Sequence, residues 1–323
     1  MLAIDGGGIR GIIPGMLLEE IEKRTGKRIV ELFDLIAGTS TGGILALGLT
    51  KPAPDGSARP HYAAKDLVDL YVQHGTRIFS KRMFGGTLIG AVVGDERYPS
   101  KGLDETLKSY FGDVMLSKAL RPIIVTSYDT YLRGPFFFKS EKSKGTDGPM
   151  HDYPMRIVAR ATSAAPSYFE PLHVSANPGD RNVEYSLIDG GVYANNPAMC
   201  AYVEAVNCYP DATDITVVSL GTGEHTRHYR WDQVKDWSAL QWMRPVLSIM
   251  MDGVADTVDY QLDTLLNNGK SKKYFRFETP LTRASDDFDD ASALNMRALQ
   301  AEAQDMLRAQ GDRLNALINV LKQ

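Results

Sequence analysis

The apolar positions of this chain fall into two patterns: short unbroken runs, and longer stretches where they recur every three or four residues. Residues 1–4, Phe33–Ala37, Pro122–Thr126, Phe136–Phe138, Tyr185–Ile188 and Ile215–Leu220 are too short for helices and predict buried strands. Lys273–Phe277 alternates like an edge strand. Ile13, Leu17 and Ile21 share one face, as do Leu67, Leu70, Tyr71, His74 and Ile78, which predicts helices over 13–25 and 63–79. Gly26 suits the C-cap of the first. Further helices are predicted over 44–49, 103–112 and 155–161, after Pro197, over 231–268, and over 291–322 with an interruption near Gly311. Residues 51–61 and 139–152 read as polar loops. The opening order of strand, helix, strand, helix predicts an α/β fold with a parallel sheet covered by helices.

One segment fits neither pattern. Residues 82–102 mix Met83, Phe84, Leu88, Ile89, Val92 and Val93 with Gly85, Gly86, Gly90 and Gly94. Three readings stand open: a loop touching the core, a flap over an apolar pocket, or a surface that meets membrane.

Composition narrows the class. The chain has 323 residues, 43% hydrophobic and 24% charged, with net charge −4. That is an ordinary globular balance with no electrostatic footprint for a nucleic-acid polymer. A single domain over 1–323 is expected, with the motif-bearing part in 1–225 and a mostly helical part in 226–323. Cys200 and Cys208 lie on one predicted helix, ~12 Å apart along its axis, and read as reduced thiols. No secretory signal pattern opens the chain, and no apolar run reaches the ~18 residues of a membrane span. A cytoplasmic location is expected.

The chemistry centres on Gly38-Thr39-Ser40-Thr41-Gly42-Gly43, between a predicted strand and a predicted helix. A serine with glycine two residues away on each side is the nucleophile-elbow pattern, although an ordinary Gly/Ser/Thr turn has the same composition. The helix N-terminus beside Ser40 would favour negative charge there. Asp5-Gly6-Gly7-Gly8-Ile9-Arg10-Gly11 follows the first strand and also has two readings. Gly6, Gly8 and Gly11 match a dinucleotide fingerprint, but no acid ends the second strand where that fingerprint wants one. The alternative is an oxyanion hole, in which consecutive glycines let backbone N–H groups converge on a developing negative charge. The neighbouring serine elbow favours the second reading, with Arg10 adding charge or pinning the loop. Asp189-Gly190-Gly191 ends another strand and reads either as a catalytic acid or base or as a turn cap. Ser163 and Ser167 are weaker nucleophile candidates because neither has an elbow.

A serine nucleophile needs a base. None of the six histidines sits in a motif that marks a catalytic one, which leaves Asp189 acting directly on Ser40. An aspartate can do this only if burial raises its basicity. No Cys/His cluster has metal-ligand spacing, so no metal or other cofactor is expected.

With these residues in view, the chain closely resembles patatin-like phospholipases. The resemblance rests on the glycine loop at 5–11, the elbow at 38–43 and Asp189-Gly190-Gly191, supported by Thr162-Ser163-Ala164-Ala165-Pro166 and Gly221-Thr222-Gly223. It implies a three-layer α/β/α fold and calcium-independent hydrolysis of phospholipid or lysophospholipid esters. Ser40 would be the nucleophile and Asp189 the base, with the amides of Gly7, Gly8 and Ile9 around the oxyanion. In length and layout the chain is also similar to bacterial effectors of antiphage signalling. That similarity implies a cyclic GMP-AMP-type activator, peripheral contact with the inner membrane when active, and an oligomer as an option. The rival class is a low-turnover lipid-binding or storage protein of the same fold.

Overall fold

The computed structural model describes residues 1–79, 98–145, 148–176, 183–268 and 273–322. The apolar segment read as a flap lies, for residues 82–97, outside the described residues. Eight strands form one sheet. They are β1 (Leu2–Ile4), β2 (Ile36–Thr39), β3 (Ile123–Asp129), β4 (Gly134–Lys139), β5 (Leu172–Ala176), β6 (Val183–Asp189), β7 (Val217–Leu220) and β8 (Tyr274–Phe277). The helices are α1 (Ile12–Thr25), α2 (Ile29–Leu32), α3 (Thr41–Thr50), α4 (Ala64–Ile78), α5 (Lys101–Phe111), α6 (Ser140–Lys144) and α7 (Met155–Thr162). They continue with α8 (Gly191–Ala194), α9 (Ala198–Cys208), α10 (Trp231–Val234), α11 (Ala239–Leu266), α12 (Ala293–Ala309) and α13 (Gly311–Leu321).

The sheet runs β5-β6-β3-β2-β1-β7-β8, with β4 also on β3. From β3 through β2, β1 and β7 to β8 every pair is parallel, whereas β4, β6 and β5 add antiparallel. Alternate residues of each central strand enter different cores, because strand side chains have period two. Leu2, Ile4, Ile36, Ile123, Val125, Val218, Leu220, Phe275 and Phe277 pack with α1, α3, α4, α5, α7, α12 and α13. Ala3, Ala37, Ile124, Val217 and Tyr274 pack on the other face with α9 and α11. The result is the three-layer α/β/α arrangement, with a sheet that is mixed at one side.

Several elements differ from the sequence reading, for local reasons. The stretch 139–152 contains α6, which Glu141 and Lys144 brace at helical spacing with a 2.8 Å ion pair. β5 had no counterpart, although Leu172 and Val174 point inward with His173 and Ser175 between them; five residues of half-exposed edge carry a weak signal. The helix over 231–268 breaks because Ser238 starts a new one, its amide capped by Gln241 Oε1 at 2.8 Å. The helix over 291–322 breaks at Gln310, next to the anticipated Gly311.

Helix α1 packs against α4, α12 and α13, so its apolar face ties the first motif to the chain's last third. Leu17 on that face is 1% exposed. Leu17→Ala is expected to cost ~2–5 kcal/mol of unfolding free energy in urea melts. Val203→Ala on α9, where the side chain is 55% exposed, should stay within about 0.5 kcal/mol of the parent.

Candidate active site

Ser40 stands between β2 and α3 with φ 53° and ψ −121°, a backbone that a residue with a side chain rarely adopts. The turn is possible because its flanks carry no Cβ. One at Gly38 would sit 2.1 Å from the Gly42 carbonyl oxygen, and one at Gly42 2.1 Å from that of Ile4. Threonines hold the strained backbone. The Ser40 amide donates to Thr162 Oγ1 at 2.8 Å, and Thr162 Oγ1 donates to the Thr126 carbonyl at 2.6 Å. Thr39 Oγ1 donates to the Ala194 carbonyl at 2.6 Å, and Thr41 bonds the buried Tyr71 hydroxyl. The run at 162–166 marks the family resemblance in the sequence but carries no role for Thr162 there. Its Thr162 is a support of the elbow that only long-range contact reveals.

Strand pairing brings Asp189 to Ser40. One edge of β3 pairs with β2 up to Thr126, opposite Thr39, and then with β6 from Ser127, opposite Asp189. The ends of β2 and β6 therefore meet head to head. The Ser40 side chain comes beside the Asp189 carboxylate and favours its charged form, and Asp189 Oδ1 accepts the Gly191 amide at 2.8 Å. Burial raises the Asp189 pKa to about 7, against the partial relief given by Ser40 and the Gly191 amide. A carboxylate of that basicity can take a proton from a hydroxyl near neutral pH.

The glycine loop is tied on both sides. The Gly6 amide donates to the Asn195 carbonyl at 3.1 Å, and the Gly6 carbonyl accepts Thr222 Oγ1 at 2.8 Å. The sequence offers the amides of Gly7, Gly8 and Ile9 as a set, but the structure commits Ile9's to the Phe288 carbonyl at 2.9 Å. Arg10's amide donates to the Gly7 carbonyl, and Gly11 closes the 3-10 turn Gly8–Gly11. The amides of Gly7 and Gly8 are left without a protein acceptor among the described residues. The Arg10 guanidinium is buried, lies 4.4 Å over the Phe288 ring and reaches His225 Nε2 at 3.2 Å. It pins the loop and turns away from the serine.

Gly7, Gly8, Ser40 and Asp189 line one cavity. Its other walls are mostly apolar: Ile44, Tyr71, Phe79, Leu103, Phe169, Leu247, Met251 and Phe288. Such a lining accommodates an aliphatic chain. Ser163 also lines it, with a buried hydroxyl that has no partner, while Ser167 does not. Among the described residues no group of three or more His, Cys, Asp and Glu could hold a metal ion. His225 bonds Arg10 and Asp252 and lines a different cavity.

Two predictions follow from this geometry. Thr162→Val leaves the buried Ser40 amide without an acceptor and should cost ~1–3 kcal/mol in chemical denaturation, most of it recovered in Thr162→Ser. Asp189 holds its proton more tightly folded than unfolded, since its pKa rises from 3.8 to about 7. Over that interval the folded state binds the extra proton, so stability falls as pH rises. Asp189→Asn removes this penalty. Urea melts should find it more stable than the parent by roughly 2–4 kcal/mol near pH 8, converging with it near pH 4.

The family model described as patatin-like phospholipase matches residues 2–202. Patatin-like protein 2 of Arabidopsis thaliana is 32% identical, covering 97% of this chain and 82% of its own. Patatin-like protein 2 of Oryza sativa subsp. indica is 32% identical over 92% of this chain and 80% of its own. A Solanum tuberosum relative named probable inactive patatin-3-Kuras 1 is 31% identical over 95% and 86%. Among solved structures, VipD from Legionella pneumophila aligns with a TM-score of 0.42 at 14% identity, covering 95% of this chain and 66% of its own. Matched by the family model across its motif-bearing part, and by plant patatins at 31–32% identity along nearly its whole length, the chain belongs to the patatin-like phospholipase family, which implies lipid acyl hydrolase activity.

Proposed function

We propose that the protein hydrolyses fatty-acyl esters of phospholipids or lysophospholipids, with Ser40 as nucleophile and Asp189 as its only base. The observation that carries this reading is the meeting of the β2 and β6 ends, which puts Ser40 and a buried carboxylate with a pKa raised to about 7 in one cavity. Ser40 Oγ attacks the ester carbonyl as Asp189 takes its proton, and the carbonyl oxygen becomes an oxyanion facing the free amides of Gly7 and Gly8. Collapse breaks the ester C–O bond, Asp189 returns the proton to the leaving alcohol, and the acyl group stays on Ser40. Asp189 then takes a proton from water, whose oxygen attacks the acyl-enzyme. Release of the fatty acid restores the serine. The positive N-terminus of α3 favours negative charge at Ser40 during both attacks.

Among the described residues no side-chain cation lines the cavity where both charges of this cycle develop, so preorganised amides carry the stabilisation. The apolar cavity walls support an acyl chain as the group bound beside the serine. Among the described residues no helix is long and apolar enough to cross a membrane, so a membrane substrate would be reached from the bilayer surface.

Fatty-acid release from phosphatidylcholine vesicles tests the proposal. Ser40→Ala and Asp189→Asn should each lower the rate by at least ~1,000-fold, and EDTA should leave it unchanged. Because the base must be ionised, kcat/KM should rise about tenfold per pH unit below, and level off above, the Asp189 pKa of about 7. Full activity in either variant overturns the pair. Failure of a fluorophosphonate to label Ser40 favours a low-turnover binding protein. The cyclic GMP-AMP-type activator enters the same assay as an added ligand, and a rate unmoved by any cyclic dinucleotide removes it.

A further inference from the structure

A second cavity, of about 310 Å³, lies beyond the glycine loop and shares no lining residue with the first. Its walls carry Asp5 at the end of β1, Glu224 and Glu278 after β7 and β8, and Asp252, Asp256 and Asp259 from α11. The three α11 residues sit at spacings of four and three and so form one row. Against six carboxylates stand two guanidiniums, Arg10 and Arg276, and the imidazole of His225. The resulting formal excess matches that of the entire chain, −4.

Some of these acceptors are satisfied. Arg276 bridges Asp5 Oδ2 at 2.7 Å and Glu278 at 2.8 Å; His225 meets Asp252 at 2.9 Å, and the Tyr274 hydroxyl donates to Asp259 at 2.7 Å. Others are not. Asp5 Oδ1 and Asn195 Oδ1 are buried with no hydrogen-bond partner, on residues only 2% and 6% exposed. Glu224 and Asp256 are exposed, and their carboxylates have no partner among the described residues. A buried acceptor without a donor costs ~1–3 kcal/mol, so this cavity carries an electrostatic and hydrogen-bonding deficit. The deficit also appears in proton affinities. Burial, opposed by Arg276, pushes Asp5 up to about 7, while burial and the neighbouring carboxylates raise Glu224 and Asp256.

We propose that this cavity binds a linear organic polycation of the polyamine class, with ammonium groups at Glu224 and Asp256 and donors reaching the unpaired oxygens of Asp5 and Asn195. A single metal ion fits less well: no three of these carboxylates are close enough to share one coordination shell. Spread carboxylates match a ligand whose positive charges are spread along a chain. The same field repels phosphates, so the cavity is no place for a cyclic dinucleotide. Asp5 directly precedes the glycine loop, and Thr222, another wall residue, holds the Gly6 carbonyl. An occupant here therefore braces the loop from behind.

Titration calorimetry of the full chain with spermidine tests the proposal. Saturable binding is expected, with the Glu224→Gln/Asp256→Asn double variant weakened about tenfold or more. The same titration with Mg²⁺ at equal charge should give no comparable saturable heat. Circular dichroism and urea melts of the double variant should match the parent, since both residues are exposed. Non-saturating heats, equal affinity in the double variant, or equal binding of Mg²⁺ would each overturn the assignment and leave the cavity to water and counterions.

Discussion

A β-strand has two edges, and β3 has three partners. β4 takes one edge, while β2 and β6 divide the other between them at the junction of Thr126 and Ser127. Everything at the site depends on that division. β2 arrives parallel and β6 antiparallel, so their C-terminal ends converge on one point. One end carries Ser40 and the other Asp189. A slip of one residue in either ladder would turn these side chains to opposite faces of the sheet. The threonines at 39, 126 and 162 hold the junction through side-chain hydrogen bonds where the ladders stop.

Both aspartates at strand ends have raised proton affinities, in both cases chiefly through burial. Among the described residues Asp189 has no cation beside it: burial raises its pKa, and the Ser40 side chain and the Gly191 amide oppose that rise. A guanidinium in contact would hold the carboxylate ionised but too weakly basic for a hydroxyl's proton. Asp5 does have a guanidinium, Arg276, yet Glu278 and Asp259 stand close enough to offset it in part. Burial raises both; at Asp5 the neighbouring carboxylates only soften the pull of the guanidinium. Gly7 and Gly8 of the glycine loop line the cavity of the first, while Thr222, which holds the Gly6 carbonyl, lines the cavity of the second.

Much of this was legible in the chain. Apolar runs gave the central strands, and the glycine spacings gave the elbow and the loop, because close backbone approach leaves a local mark. The lack of a suitably placed histidine pointed to Asp189. Three things were not legible. Ile9's amide belongs to Phe288, a pairing between residues remote in sequence that no local pattern encodes. Thr162 supports the elbow across a similar gap. The acidic cavity gathers carboxylates from β1, α11 and the segments after β7 and β8, each unremarked in its own stretch. Local constraint writes itself into spacing; the meeting of distant elements does not.

Phe288 also bears on the order in which the protein becomes competent. Ser40, Asp189 and the glycines all leave the ribosome before it does. Until Phe288 arrives, nothing holds the Ile9 amide, and the Arg10 guanidinium lacks the ring it stacks on. The loop is then held only through Gly6 and its own 3-10 turn. A chain still being synthesised thus carries Ser40 and Asp189 before its glycine loop has its last anchor. The geometry of the glycine loop is therefore completed only late in translation.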